Sequence, residues 1–191
     1  MVEGLELLTG KAPKPHMGNA MTLGDGSRVA VIGAGPSGSM FSYFFLCMAE
    51  TIGLNVDVDI FEPRGFCHRG PAGCNHCGGI VSESLVQRLA TEGIRLPDCV
   101  VQRGIESYTL HMDVGDVEIA TPLMEKRIAA IYRGNGPRSS EPLDTHSFDG
   151  YLLDLAKEKG ARVIPRLVTG VQREHDSMTV QCADQFRDTY D

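Results

Sequence analysis

The sequence has 191 residues, of which 42% are hydrophobic and 23% charged, a balance that predicts one globular domain and excludes a wholly disordered chain. The net charge is −7 and no cluster of Lys and Arg is present, so no nucleic-acid partner is predicted, because phosphate-backbone affinity depends on clustered cations. The longest apolar run, residues 40–49, is too short for the roughly 20 residues of a membrane-spanning helix, so no transmembrane segment is predicted.

Residues 1–27 are predicted to form an irregular N-terminal extension, because they carry Gly, Pro and Asn without sustained periodicity. Acidic residues stand where a signal peptide needs positive charge, and an apolar core segment is missing. Six cysteines in a chain without a signal peptide are typical of reduced thiols. The sequence therefore predicts a cytoplasmic protein.

A βαβ unit is predicted from residue 28 onward. The β-branched run at 28–32 predicts a strand, and the glycines that follow lead into a long apolar helix ending near Gly53. Residues 56–61 predict a second strand, with its valines on one face and Asp57 and Asp59 on the other.

The remainder of the chain predicts two helices and several short strands. Ser82 is expected to cap the first helix and Gly93 to end it, while Gly160 ends the second, at 148–159. Strands are predicted at 103–113, 117–120, 127–132 and 162–168, and as a hairpin at 171–174 and 178–182. The predicted fold class is α/β, a Rossmann-like βαβ unit with an additional antiparallel β section.

The segment Gly33-Ala-Gly35-Pro36-Ser37-Gly38 fits the dinucleotide-binding pattern G-x-G-x-x-G, directly after a strand and at the start of a helix. In this pattern Gly33 permits the tight turn, Gly35 allows a pyrophosphate to approach the backbone, and Gly38 allows the helix to pack closely on the strand. The helix that Pro36 and Ser37 open would offer its free N–H groups to the phosphates.

Glu62 follows the second strand at about the distance at which a ribose-binding acid is expected. Its carboxylate can accept hydrogen bonds from both ribose hydroxyls and would repel a 2′-phosphate. The structural alternative is a βαβ turn with a solvent-facing glutamate.

Residues 29–38 and the segment Ile60-Phe-Glu62-Pro63-Arg64 resemble the N-terminal FAD-binding segment of the flavoprotein monooxygenase and geranylgeranyl reductase superfamily. Residues 148–161, a Phe-Asp pair opening a helix that ends in Gly-Ala, are similar to a later helix of the same superfamily. The resemblance covers roughly residues 28–182. It implies FAD as the cofactor, with Pro63 and Arg64 joining Glu62 and the glycine turn in binding it.

Two departures from the superfamily pattern affect the expected domain. Members commonly have an arginine where Thr145 stands, and a downstream Gly-Asp signature has no counterpart before Asp191. We therefore expect residues 28–191 to form the N-terminal part of an FAD-binding domain, incomplete because the Gly-Asp segment and the catalytic region are missing.

A glycine-rich loop concentrates Cys67, His68, Cys74, His76 and Cys77. The C-x-x-C spacing allows a zinc site, although the second C-x-x-C of the usual zinc signature is missing. It also allows a thiol pair that exchanges electrons with a flavin, or cysteines that merely fill the loop.

The resemblance favours a fourth interpretation without a metal, in which this loop runs along the flavin. Its small residues, Gly78 and Gly79 among them, would then admit the isoalloxazine ring, with Cys74 or Cys77 beside it as a candidate catalytic thiol. Elsewhere, the favourable interaction of an acid with a helix dipole is a sufficient explanation for Asp149 at the start of its helix. Residues 133–138 predict a solvated basic loop, with contact to a cofactor or an acidic substrate as the alternative.

The predicted function is an FAD-dependent oxidoreductase, or its N-terminal part, in which the flavin carries hydride or electrons. The reductase branch implies an isoprenoid alkene as the small-molecule substrate and the monooxygenase branch an aromatic ring, with NAD(P)H or another electron donor. The alternative is a non-catalytic module that binds a dinucleotide or zinc.

Overall fold

The computed structural model describes residues 23–66, 79–120, 128–131, 133 and 147–191. Within these residues the chain forms, in order, β1 (Ser27–Ile32), α1 (Pro36–Ile52), β2 (Val56–Phe61), β3 (Ile80–Ser82), α2 (Glu83–Thr91), β4 (Val101–Ile105) and β5 (Ser107–Met112). It continues with β6 (Gly115–Ala120), β7 (Ile128–Ile131), α3 (Phe148–Glu158), β8 (Arg162–Ile164), β9 (Val168–Glu174), β10 (Ser177–Cys182) and β11 (Arg187–Tyr190).

A three-stranded parallel sheet in the order β1-β2-β8 forms the centre of the fold. Ser27 pairs with Val56 and Ile32 with Phe61, so β1 and β2 are in register over their whole length. Helix α1 is the crossover between these two strands, as parallel neighbours require. The predicted α/β class and its βαβ unit are confirmed.

Helices α1 and α3 cover one face of the parallel sheet. The apolar side chains that alternate along β1 and β2 pack against the inner faces of both helices, since a sheet face and a helix stripe must bury each other. The buried side chains of this core are Val31, Ala34, Leu46, Val58, Ile60, Phe66, Leu153, Ala156 and Ala161.

The other face of the parallel sheet is covered by an antiparallel sheet in the order β11-β10-β9. Phe61, Val180, Cys182 and Tyr190 form the core between the two sheets. Asp59 lies opposite the valines of β2, as predicted, and this second sheet buries it, whereas Asp57 at the start of the same strand stays exposed.

The middle of the chain forms antiparallel structure beside this unit, in the strand order β3-β7-β4, and the separate hairpin β5–β6. The predicted strand at 103–113 is interrupted at Glu106, where β4 ends and the hairpin begins. The predicted strand at 162–168 is also divided: β8 pairs in parallel with β2, and the chain then enters β9 of the antiparallel sheet. Strands β3 and β11 were not predicted.

The predicted helix boundaries agree closely with the structure. The Ser82 side chain accepts a hydrogen bond from the Leu85 N–H at 3.3 Å, and Ser147 caps α3 in the same way. Along the described part of the chain, no helix has both the length and the apolar character needed to cross a bilayer.

Candidate functional site

The glycine turn joins β1 to α1 at the carboxyl end of the parallel sheet. Gly33 has φ = 93°, in the left-handed region that favours glycine, and its N–H donates to the Phe61 carbonyl at 2.9 Å. A Cβ at Gly38 would overlap the carbonyl oxygen of Gly33. The turn therefore needs glycine at both positions for its own geometry, before any ligand is considered.

The geometry of the turn does not require glycine at position 35, because Gly35 has an ordinary φ of −62° and open space where a Cβ would stand. Helix α1 starts here with Pro36 and has no side-chain cap. Its first intrahelical bond runs from the Ser39 N–H to the Gly35 carbonyl at 3.0 Å. The N–H groups of Ser37 and Gly38 precede that bond, so the helix offers them at an open surface.

Glu62 places a buried carboxylate against the glycine turn. The residue is 3% exposed, and its Oε2 accepts a hydrogen bond from the Ala34 N–H at 3.0 Å. Burial acts to raise the pKa of Glu62, but hydrogen bonds from Arg64 and from the backbone of Ala34 and Arg64 together lower it. Glu62 is thus an anion at neutral pH and is not the solvent-facing residue of the structural alternative.

Arg64 forms a two-pronged ion pair with Glu62. Its Nε lies 2.9 Å from Oε1 and its Nη2 lies 3.1 Å from Oε2, while its backbone N–H donates to Oε1 at 3.0 Å. The guanidinium also stands over the Phe66 ring, 5.2 Å from its centroid. The pKa of Arg64 is raised, chiefly by the hydrogen bonds to Glu62, with smaller influences from the nearby charges of Asp149 and Arg133.

Arg133 and Asp149 form a second ion pair close to Arg64, and this pair was not predicted. Arg133 Nε and Nη2 lie 2.7 and 2.6 Å from the two carboxylate oxygens of Asp149. The two residues are only 8% and 3% exposed. The predictions of a solvated loop at Arg133 and of a purely helix-dipole role for Asp149 are therefore wrong, because the two side chains neutralise each other in the interior.

Ser147 fastens the segment that follows Glu62 to the start of α3. Its hydroxyl donates to the Phe66 carbonyl at 3.3 Å and accepts from the Gly150 N–H at 3.0 Å. Phe66 is buried and has φ = 51°, an uncommon conformation for an aromatic residue. The chain from Glu62 to Phe66 is therefore held between the glycine turn and α3.

Of the remaining predicted site residues, the structure describes Pro63 and Gly79. Pro63 lies between Glu62 and Arg64 on the surface. Gly79 has φ = 66°, and a Cβ there would overlap the Ile131 carbonyl, so packing against β7 accounts for this glycine and its flavin contact stays a prediction. Gly78, Cys74 and Cys77, with the other members of the cysteine loop, Cys67, His68 and His76, lie outside the described residues.

Metal binding finds no support in the part of the chain that the structure describes. There, no three or more His, Cys, Asp or Glu side chains come together in an arrangement that could hold an ion. The acids near the glycine turn are each engaged by an arginine instead.

Comparisons with known proteins identify the fold. No protein-family model matches this sequence, and no curated protein does. Among solved structures, the flavin-dependent brominase Bmp2 is similar with a TM-score of 0.57 and 17% identity, over 85% of this chain and 35% of its own. The Diels-Alderase PyrE3 of pyrroindomycin biosynthesis gives 0.54 and 18%, over 86% and 31%.

A third solved structure, the halogenase PltM in complex with phloroglucinol and FAD, gives a TM-score of 0.55 and 13% identity, over 86% of this chain and 33% of its own. The chain thus spans about a third of the length of each of these proteins. At such low identity the likeness shows the fold alone, in agreement with the predicted α/β class.

Proposed function

We propose that this chain is the FAD-binding part of a flavin-dependent oxidoreductase. The observation that carries the proposal is the buried Glu62 carboxylate, hydrogen-bonded at 3.0 Å to the Ala34 N–H inside the glycine turn. An anionic acceptor beside an open helix N-terminus offers a ribose and a pyrophosphate complementary partners on one edge of the sheet.

The residues present fit the ADP half of FAD. The open backbone at Gly35 and the N–H groups of Ser37 and Gly38 would hold the pyrophosphate, and Glu62 would accept hydrogen bonds from the ribose. When bound, FAD supplies hydride or electron transfer at its isoalloxazine ring. The charge of Glu62 disfavours a 2′-phosphate, so we expect selection against phosphorylated ribose.

An aromatic small molecule is the substrate class that we favour over an isoprenoid alkene. This preference rests on the solved halogenase that holds phloroglucinol, an aromatic compound, together with FAD. NAD(P)H or another donor would reduce the flavin. Because the chain spans about a third of that halogenase, the substrate and the donor belong to the proposal for the whole enzyme.

The test is FAD binding by the purified chain and by Gly35→Ala, followed by isothermal titration calorimetry. The added methyl group meets no protein atom within 4 Å and demands no unusual φ, so it changes the ligand surface without straining the fold. We expect Gly35→Ala to weaken FAD binding by about tenfold or more. Gly24→Ala, also at an open glycine without left-handed backbone, is the matched control and should bind as the unaltered chain does.

Competition provides a second measurement in the same experiment. ADP-ribose should displace FAD, and its 2′-phosphorylated form should compete poorly because of the Glu62 charge. Absence of FAD binding by the unaltered chain, or equal binding by Gly35→Ala, would contradict the proposal.

A further inference from the structure

The Glu62 carboxylate already receives as many hydrogen bonds as it can accept. Oε1 accepts from the Arg64 N–H and from Arg64 Nε, and Oε2 accepts from the Ala34 N–H and from Arg64 Nη2. A carboxylate has about four lone-pair positions. A ribose hydroxyl can therefore reach Glu62 only if one of these donors leaves.

The four donors differ in how easily they leave. Two are backbone N–H groups, from Ala34 and Arg64, and the fold fixes them in place. The other two belong to the Arg64 guanidinium, which contributes one hydrogen bond to each carboxylate oxygen. A ribose diol placed on Glu62 with one hydroxyl on each oxygen would need the same two positions.

The Arg64 side chain can be displaced at moderate cost. It is 43% exposed, against 2% for the Glu62 side chain, so water can solvate the guanidinium once it leaves. The nearby Asp149 could otherwise pair with the displaced guanidinium, but it already forms a bidentate ion pair with Arg133. Displacement thus exchanges an ion pair for a solvated cation, and the buried carboxylate stays hydrogen-bonded because the ribose hydroxyls replace the two donors of Arg64.

The resemblance implies that Arg64 helps to bind FAD, but we propose that it is an internal competitor of the ribose: it occupies the diol positions of Glu62 in the free protein and moves away when the nucleotide binds. This inference rests on the proposed function, because it concerns the same carboxylate. Arg64 therefore tunes the affinity for the nucleotide and keeps the buried carboxylate paired while no ligand is present.

The experiment compares FAD and ADP binding by the unaltered chain and by Arg64→Met, using calorimetry at pH 8. Methionine keeps an unbranched apolar stem beside Phe66 and removes the competing donors. Loss of Arg64 would also raise the pKa of the buried Glu62, so the alkaline pH keeps the carboxylate ionised. We expect Arg64→Met to bind both ligands about threefold to tenfold more tightly.

The matched control is Arg166→Met. Arg166 also pairs with an acid, Asp184 at 3.3 Å, and also stands over a phenylalanine ring, that of Phe186 at 4.0 Å. Asp184 and Phe186 lie between β10 and β11, and Phe186 packs on Phe61. Removing Arg166 leaves the four donors of Glu62 in place, so both dissociation constants should be unchanged.

A spectroscopic measurement follows the displacement directly. In ¹⁵N-labelled protein, ADP should shift the Nε–H resonance of Arg64 and leave that of Arg162 in place, since Arg162 is held by Asp59 on the other face of the sheet. Arg64→Lys, which keeps the charge but loses the two-pronged geometry, should bind with intermediate affinity and serves if Arg64→Met does not fold.

The outcomes separate the two proposals. If Arg64→Met, or Arg64→Lys in its place, binds FAD and ADP with unchanged or weaker affinity, the competitor inference is overturned and the proposed function stands. If neither the unaltered chain nor the variants bind either ligand, the proposed function fails, and this inference fails with it.

Discussion

Individual acidic side chains in this molecule are buried deeply and are paired with arginine. Glu62, Asp149 and Asp59 are each no more than 3% exposed. Their arginine partners are Arg64, Arg133, Arg28 and Arg162. A buried pair contributes little net stability compared with apolar residues, but removing one partner leaves an uncompensated buried charge.

At this scale, Asp149→Ala should be strongly destabilising. It leaves the buried Arg133 guanidinium without its carboxylate, so we expect the free energy of unfolding to fall by about 3–5 kcal/mol in urea denaturation. Asp154→Ala, on the same helix, removes the acid of a surface pair with Lys157 and should cost less than about 1 kcal/mol. Equal losses from the two variants would contradict the buried-pair interpretation.

The sequence predicted the position of Glu62 but not the pairing of Arg133 with Asp149. Glu62 was found because its spacing from a glycine turn follows one βαβ unit, which is a local relation. Arg133 and Asp149 belong to different elements, and no period of helix or strand connects them. Only the fold brings their side chains together, which is why a solvated loop was predicted at Arg133.

At the scale of elements, the ends of the helices are fixed by local chemistry. Ser82 and Ser147 both cap a helix by accepting a backbone N–H, and the helices end just before Gly93 and Gly160. Strands were harder to predict. Strand β3 has only three residues, and β8 ends at Ile164, after which the chain enters a strand of another sheet. Such breaks depend on which sheet the chain joins.

Two variants test how much burial and a second hydrogen bond add to the stabilisation that a helix-capping serine gives. Ser147 is buried and makes two hydrogen bonds, one of them to the segment after Glu62, while Ser82 is exposed and caps at a longer distance. We expect Ser147→Ala to lower the free energy of unfolding by about 2 kcal/mol and Ser82→Ala by about 0.5–1 kcal/mol. Thermal and urea denaturation measure both, and the reverse order would show that the tie to Phe66 contributes nothing.

At the scale of the whole molecule, a charged cluster joins the two sheets and both ends of the described chain. Arg28 of β1 donates to Asp188 at 2.9 and 2.6 Å and lies 3.3 Å from Asp59, which also accepts from the Tyr190 hydroxyl at 2.9 Å. The hydrogen bonds from Arg28 lower the pKa of Asp188 to about 2. Burial and the hydrogen bond to Asp59 raise the pKa of Tyr190.

This cluster predicts a loss of stability in acid. The folded pKa of Asp188 lies below the unfolded value of about 4, so its contribution is complete above pH 4 and disappears as the pH falls towards 2. Asp59 and Glu62, whose pKa values are also lowered, act in the same direction. Urea denaturation between pH 5 and pH 2 should show this fall.

Asp188→Asn isolates the contribution of one carboxylate. Because asparagine does not titrate, stability should depend less steeply on pH between 4 and 2 in this variant than in the unaltered chain. An unchanged slope would mean that Asp188 has the same proton affinity in the folded and unfolded states.

The sequence alone determined the βαβ unit, the glycine turn and the position of Glu62, because strand alternation, helix caps and turn glycines act between residues close along the chain. Tertiary structure decided that the sheet β9–β11 buries Asp59 and that Arg133 pairs with Asp149. Arg28 and Asp188 are 160 positions apart, and local periodicity carries no information over that separation. Such partners meet only in the folded chain, where a buried charge must be paired with an opposite one.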